Sequence, residues 1–204
     1  MGSDVLRPPP EGFSALIDLE PTLRLDIRYH TANNFTGAPL PGYAAPGAWM
    51  IHEAAERVVA IHRRFREEGC GLLIYDAYRP HRATQAMVAW AERTGQVSLV
   101  ENGYIARRSL HARGTTVDLT LFDLATGQPL QMGTEWDVFH EGSHTANASG
   151  EAKVNRQRLA DAFLRAGFRG YSKEWWHFTL NMETDPEARD VPYGANEMDE
   201  VRDG

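Results

Sequence analysis

The sequence has almost no cysteine and no long apolar run, and each absence narrows what the chain can be. Its 204 residues include a single cysteine, Cys70, so no intramolecular disulfide can form and the fold does not depend on an oxidising compartment. We expect Cys70 to pack as a small hydrophobic residue. No stretch approaches the roughly 20 apolar residues that are needed to cross a bilayer.

Positive charge is also scarce. The sequence holds 21 lysines and arginines against 28 aspartates and glutamates, which gives a formal net charge of -7 and argues against nucleic acid or an anionic membrane as a partner. Residues 1–12 contain Asp4 and three consecutive prolines and lack the apolar segment of a secretory signal. We therefore expect a cytoplasmic protein with a small ligand.

The length of the chain and its lack of internal repeats favour a single domain over residues 1–204. Its composition, 42% hydrophobic and 24% charged, is that of an ordinary globular protein. Polar ends flank an ordered core that we expect to span about residues 13–193.

Apolar periodicity predicts three helices and three strands. The helices are expected at 51–68, followed by Gly69, at about 82–93 and at about 151–166. The strands are expected at 72–75, at 117–122 leading into a hairpin near 125–127, and at 175–180. This mixed order favours an α+β fold with a central antiparallel sheet flanked by helices.

Two short segments carry candidate metal ligands. His111 and Asp118 lie in residues 109–118, and His177 ends the run Glu-Trp-Trp-His at 174–177. Histidine nitrogens and a carboxylate oxygen are donors that zinc accepts, and a catalytic zinc takes three of them and leaves a fourth position for water. Gly114 permits a turn that brings His111 back beside the strand that carries Asp118.

A glutamate and an arginine accompany these ligands. Glu174 can stand beside a metal without binding it, take a proton from the bound water and return it to the leaving amine. Arg79, at the end of a predicted strand, can neutralise an oxyanion. Each residue alone has a structural alternative: Glu174 could be a solvated surface charge, and Arg79 could pair only with Asp76. Their joint occurrence favours a hydrolytic enzyme.

Further segments resemble the VanX-type D-alanyl-D-alanine dipeptidases, which are zinc peptidases of the wider D,D-carboxypeptidase and hedgehog-like group. The resemblance covers roughly residues 20–182 and is carried by residues 33–37, 42–43, 71–80, 132–134 with Asp137, 143–144 and 171–177, besides the metal motif. It implies a hedgehog-like α+β domain that uses one zinc ion per chain to hydrolyse the free dipeptide D-Ala-D-Ala.

The metal-binding pattern of this family, S-x-H-x-x-G-x-A-x-D, matches the chain in order. It falls on Ser109, His111, Gly114, Thr116 and Asp118. The resemblance implies that His111, Asp118 and His177 bind zinc. Two positions depart from the family: Thr116 replaces the usual alanine, which we expect to be tolerated, and Leu110 replaces a frequent second serine, which removes a hydrogen-bond donor to the substrate.

The resemblance also implies roles for the other residues. Glu174 is the general base and acid, and Arg79 stabilises the tetrahedral transition state. Asp137 matches the position associated with the substrate ammonium, and Ser109 and Tyr29 are expected to contact the rest of the dipeptide. Because a buried carboxylate without a cation is costly, Asp137 predicts cleavage of the free dipeptide and not of a peptidoglycan stem.

Three alternatives use the same kind of site. A D,D-carboxypeptidase or cell-wall amidase would act on longer stems, and a hedgehog-like zinc-binding domain would keep the ligands without activity. An iron oxygenase with two histidines and one carboxylate would share the ligand types, but its short His-x-Asp spacing is missing. The sequence leaves open the oligomeric state and the choice between glycopeptide resistance and dipeptide catabolism.

Overall fold

The computed structural model describes residues 5–196, and most of its secondary structure lies in one mixed sheet and the helices around it. The elements are β1 (Phe13–Ala15), α1 (Leu16–Leu19), β2 (Arg24–Leu25), β3 (Trp49–Ile51), α2 (His52–Glu67), β4 (Cys70–Asp76), α3 (His81–Arg93), α4 (Ser98–Glu101), β5 (Thr116–Asp123), α5 (Gly150–Arg165), β6 (Phe168–Tyr171) and β7 (Glu174–Leu180). Short 3₁₀ turns lie at Arg28–His30, Leu110–Arg113 and Glu141–Ser143. Residues 1–4 and 197–204, which belong to the predicted polar ends, lie outside the described residues.

Five strands form the main sheet in the order β2-β4-β5-β7-β6. All neighbours pair antiparallel except β2, which runs parallel to β4. The strands β1 and β3 form a separate antiparallel pair. The predicted α+β class is confirmed, and the parallel edge strand is an addition to the predicted antiparallel sheet. Two residues, Arg24–Leu25, are too few to show a strand periodicity in the sequence.

The predicted elements match α2, α3 and α5 and strands β4, β5 and β7 to within two residues at each end. The turn predicted after β5 is also present, since the Asp123 N–H donates to the Gln128 carbonyl at 2.9 Å. The returning chain then forms only an isolated bridge between Phe122 and Pro129, so the predicted hairpin is much shorter than a strand pair.

Helices α2 and α5 hold the central strands in place. On α2, Val58 and Phe65 belong to the apolar face that is buried in the core. On α5, Phe163 is fully buried and stacks on Phe178 of β7, with 4.4 Å between the ring centroids. The strands β5 and β7 therefore have a packed aromatic and aliphatic support, which fixes the positions of the side chains they carry.

The single cysteine and the lack of a long apolar run can both be compared with the structure. Cys70 is free and buried at the start of β4, as expected for a small hydrophobic residue. None of the helices in residues 5–196 is both long and apolar enough to cross a membrane.

Gly114 closes the 3₁₀ turn Leu110–Arg113 before β5. Its φ of 71° lies in the left-handed region, which is open to glycine and disfavoured for other residues. A Cβ at this position would collide with the ring of Phe13. The predicted role of Gly114 as a permissive turn residue therefore has both a conformational and a steric basis.

We expect Gly114→Ala to lower the free energy of unfolding by more than Gly69→Ala does. Both glycines have positive φ, 71° and 79°, so alanine at either position costs about 1–2 kcal/mol from the backbone alone. A Cβ at Gly69 meets nothing within 4 Å, whereas a Cβ at Gly114 meets Phe13. Chemical denaturation of the two variants measures the difference, and equal losses would contradict the steric contribution.

Candidate metal centre and substrate cavity

The register of β5 against β7 brings two predicted metal ligands face to face. Asp118 pairs directly with His177, so both side chains project from the same face of the sheet. His111 comes from the 3₁₀ turn before β5, and Gly114 returns the chain into that strand. The side chains of His111 and Asp118 are almost fully buried, and that of His177 is 19% exposed.

The three donor atoms form a compact triangle. Asp118 Oδ1 lies 3.3 Å from His111 Nε2 and 3.0 Å from His177 Nδ1, and the two nitrogens are 3.4 Å apart. Ligands about 2.0–2.1 Å from a tetrahedral ion stand about 3.3 Å from one another, so the spacing matches donors that share one ion. Asp118 Oδ1 is also buried without a hydrogen-bond partner, and a cation would satisfy it. These residues fit zinc.

Contacts behind the ligands orient both imidazoles. His111 Nδ1 lies 2.7 Å from the Ala77 carbonyl oxygen, so this nitrogen carries the proton and Nε2 is free to bind a metal. In His177 the roles are reversed: Nδ1 faces the site and Nε2 lies 3.4 Å from Thr179 Oγ1. Thr179 Oγ1 lies 2.9 Å from Thr116 Oγ1. The hydroxyl that departs from the family pattern is therefore paired and lies behind a metal ligand.

Glu174 and Arg79 border the triangle without belonging to it. Glu174 Oε2 lies 3.6 Å from His177 Nδ1. Burial raises the pKa of Glu174 well above its usual range, and the negative charges of Asp118 and Asp137 add to the rise. Arg79 Nη2 lies 3.6 Å from Asp118 Oδ2, so Arg79 reaches a predicted metal ligand and does not pair only with Asp76, as the structural alternative required.

Asp76 has a larger role than its sequence position suggested. It is fully buried, and its Oδ1 accepts a hydrogen bond from the Tyr43 hydroxyl at 2.5 Å. Its Oδ2 accepts a hydrogen bond from Arg79 Nε at 2.9 Å and lies 3.4 Å from His111 Nδ1. Asp76 pairs with Asp118 across β4 and β5, so the register of the sheet, which the sequence does not display, is the signal that reveals it.

Asp137 and Tyr29 supply a second polar group in the same cavity. The Tyr29 hydroxyl donates to Asp137 Oδ2 at 2.5 Å. Asp137 has a φ of 58°, an unusual conformation for a residue with a side chain, which its surroundings must hold in place. Burial raises the pKa of the Asp137 carboxyl to about 8, although the hydrogen bond from Tyr29 opposes the rise. A nearby ammonium group would favour the ionised carboxylate.

All the site residues expected from the sequence line one cavity of about 290 Å³, at the small end of the range of about 300–1,000 Å³ for ligand pockets. They are Tyr29, Arg79, Ser109, His111, Asp118, Asp137, Glu174 and His177. The hydroxyl of Ser109 accepts the His111 N–H at 3.3 Å, and Leu110 adds an apolar contact to the wall.

Other parts of the wall were not anticipated as site residues. Phe35, Tyr104, Phe139 and Tyr171 make one side of the cavity aromatic. Phe35 and Tyr171 lie in segments that resemble the family, whereas Tyr104 and Phe139 lie in irregular segments with no motif. Arg108, next to Ser109, also lines the cavity.

An α+β domain that brings two histidines and an aspartate into metal-binding geometry, with a buried glutamate beside them, is typical of a metallopeptidase. The chain belongs to the D-Ala-D-Ala dipeptidase family, whose pattern matches residues 11–193. The predicted resemblance is thereby confirmed.

Curated relatives extend over most of the chain. A D-alanyl-D-alanine dipeptidase of Enterococcus faecium is 34% identical over 192 residues, which cover 87% of this chain and 95% of the relative. Dipeptidases of the same name from Streptomyces coelicolor and Escherichia coli are 33% and 36% identical and cover 86% and 90% of this chain, and 95% and 91% of their own lengths. A solved vancomycin resistance D,D-pentapeptidase in complex with Zn(II) has 17% identity and a TM-score of 0.42, covering 66% of this chain and 74% of its own.

We expect Thr179→Val to weaken zinc binding by about 10-fold or more, because hydrogen-bond partners behind a metal-bound histidine typically contribute about 10–100-fold in affinity. Thr116→Ala leaves the Thr179 hydroxyl beside His177 and should have a smaller effect. Competition with a chromophoric chelator measures the zinc Kd, and circular dichroism checks the fold. Unchanged affinity in a folded Thr179→Val protein would show that this hydroxyl does not support His177.

Proposed function

We propose that this protein is a zinc-dependent dipeptidase that hydrolyses free D-Ala-D-Ala to two molecules of D-alanine. The observation that carries the proposal is that one small cavity combines the metal triangle with the Asp137–Tyr29 pair. An ammonium group of a free dipeptide would pair with the ionised carboxylate of Asp137, whereas an N-acylated stem has no ammonium group and would lose this ion pair. Membership of the D-Ala-D-Ala dipeptidase family supports the same substrate.

We assign one zinc ion per chain to His111, Asp118 and His177. When bound, zinc would supply Lewis acidity that polarises the scissile carbonyl and lowers the pKa of water to about 7. The buried, unpartnered Asp118 Oδ1 and the matched donor spacing support this assignment.

Side chains of the cavity carry out proton transfer, stabilise the oxyanion and orient the substrate. Glu174 takes a proton from the attacking water and delivers it to the amine of the leaving D-alanine. Its carboxylate lies beside the donor triangle, 3.6 Å from His177 Nδ1, and burial raises its pKa. Arg79 stabilises the oxyanion, in an orientation that its hydrogen bond to Asp76 fixes. Asp137 and Tyr29 orient the substrate by its ammonium group, and Ser109 contacts the other part of the dipeptide.

The proposed reaction suits two physiological roles, removal of D-Ala-D-Ala before it enters a cell-wall precursor and catabolism of the dipeptide. A cytoplasmic location and a single domain over residues 1–204 stay predictions from the sequence.

We expect Glu174→Gln to lower kcat for D-Ala-D-Ala by at least about 100-fold, since a positioned general base typically contributes 10²–10⁴-fold. Zinc affinity should change little because Glu174 lies outside the donor triangle. Release of D-alanine from the zinc-loaded protein measures the first effect and chelator competition the second. Glu183→Gln, at an exposed glutamate after β7, is the control, and a variant at Glu174 with undiminished turnover would remove this residue from the mechanism.

We expect Asp137→Asn to lower kcat/KM for free D-Ala-D-Ala by at least about 30-fold, because losing one partner of a desolvated charge pair costs about 2–5 kcal/mol. N-acetyl-D-Ala-D-Ala should be a poor substrate of the unmodified enzyme and should be hardly affected by the substitution. Cleavage of both compounds at similar rates would instead identify a D,D-carboxypeptidase. Zinc binding without cleavage of either compound would favour a non-enzymatic, hedgehog-like domain.

A further inference from the structure

A free dipeptide has two charged ends, and the residues described so far account for one of them. Asp137 is suited to the ammonium group, but the terminal carboxylate must also leave water when the substrate enters the cavity, and it then needs a cation or hydrogen-bond donors. Among the described residues, the arginine and lysine side chains that line the cavity are those of Arg79 and Arg108.

Arg79 is already committed to other carboxylates. Its side chain is 11% exposed, its Nε donates to Asp76, and its Nη2 lies 3.6 Å from Asp118. Its positive charge is therefore balanced within the protein, and in the proposed reaction its guanidinium faces the scissile carbonyl and not the end of the substrate.

Arg108 is different in each of these respects. Its side chain is exposed and lines the cavity, and no carboxylate in residues 5–196 forms an ion pair with it. The neighbouring arginines are paired: Arg107 lies 3.4 Å from Glu92, and Arg113 lies 3.3 Å from Asp185. Arg108 thus brings to the cavity wall a positive charge that the described chain does not balance.

The residues beside Arg108 complete a carboxylate site. The Ser109 oxygen already accepts the His111 N–H, which leaves its O–H to donate outward into the cavity that Ser109 lines. Leu110, where related dipeptidases often have a second serine, offers no hydrogen bond. Ser109 and its neighbour Arg108 therefore offer the cavity one hydroxyl donor and one guanidinium, and a guanidinium can form two parallel hydrogen bonds to a carboxylate.

We infer that Arg108 binds the terminal carboxylate of the dipeptide and makes the enzyme select substrates with a free acid at the second residue. The inference rests on the proposed function, which defines the charged ends of the substrate. Together with Asp137, Arg108 lets the cavity recognise a zwitterion, so a longer peptide is disfavoured at whichever end it is extended.

The test compares D-Ala-D-Ala with its C-terminal amide, D-alanyl-D-alaninamide, which keeps the ammonium group and lacks the negative charge. We expect Arg108→Ala to raise KM for the free acid by about 10-fold or more, as expected for a lost hydrogen bond to a charged group, with little change in kcat. Its effect on the amide should be small. Arg108→Lys should restore part of the affinity for the acid, because it keeps the charge without the paired donors.

Arg107→Ala is the matched control, because it removes the same positive charge one residue away from Arg108. The side chain that it removes pairs with Glu92. This substitution should leave both substrates nearly unaffected. Equal increases in KM for the acid in the Arg107 and Arg108 variants would show only general electrostatic attraction. If Arg108→Ala raised KM for the amide as much as for the acid, recognition of the carboxylate would be excluded. Either result overturns the inference.

A binding measurement separates this inference from the proposed function. Calorimetric titration of zinc-loaded Glu174→Gln protein, with and without Arg108→Ala, gives Kd values for the acid and the amide without turnover. If the unmodified enzyme cleaves D-Ala-D-Ala and Arg108→Ala leaves the Kd for this dipeptide unchanged, the inference is overturned and the proposed function stands. Failure of the unmodified enzyme to bind or cleave the dipeptide would overturn both.

Discussion

The site depends on two carboxylates that are buried next to each other in the middle of the sheet. Asp76 on β4 and Asp118 on β5 are cross-strand partners, and both are almost completely shielded from solvent. Burying unpaired charge costs several kcal/mol per ion, and here Arg79 contacts both carboxylates. Burial raises the pKa of Asp76 above its usual range, and the positive charge of Arg79 opposes the rise. One arginine balances one of the two charges, and a cation in the donor triangle would balance the other. The same electrostatic requirement thus accounts for the place of Arg79, for the buried Tyr43 hydroxyl on Asp76 and for the metal-binding geometry.

Much of the fold and of the geometry of the candidate site was predictable because the signals are local. The alternation of Val117, Asp118 and Leu119 predicts a strand, and the short spacing from His111 to Asp118 with a glycine between them predicts a turn that brings the two side chains together. The contribution of Asp76 was not predictable in this way, because it depends on the register between β4 and β5, which are far apart in sequence. The left-handed backbone of Asp137 and the cavity-facing position of Tyr104 arise from tertiary packing, so nothing in the neighbouring residues indicates them. The edge strand β2 escaped prediction because two residues cannot display a period.

The cavity is lined by charged side chains, such as Arg79 and Asp118, and by aromatic rings, such as Phe35 and Phe139. Low polarity around ion pairs strengthens their interactions, so the rings of Phe35 and Phe139 would increase the energetic difference between a dipeptide whose charges are matched and one whose charges are not. Selectivity in such a site comes less from the number of contacts than from the cost of leaving a desolvated charge without its counterpart. A small change at either end of the substrate therefore matters more than its apolar methyl groups.

The proposed metal ligands come from distant parts of the chain, with His111 and His177 separated by 66 residues. An unfolded chain would have to close that long loop to gather the donors, at a considerable entropic cost, so tight binding belongs to the folded state. An ion that binds only the native state stabilises it in proportion to the logarithm of its free concentration. With the proposed zinc site, metal supply in the cell would therefore affect how long the folded chain resists proteolysis as well as how fast it works.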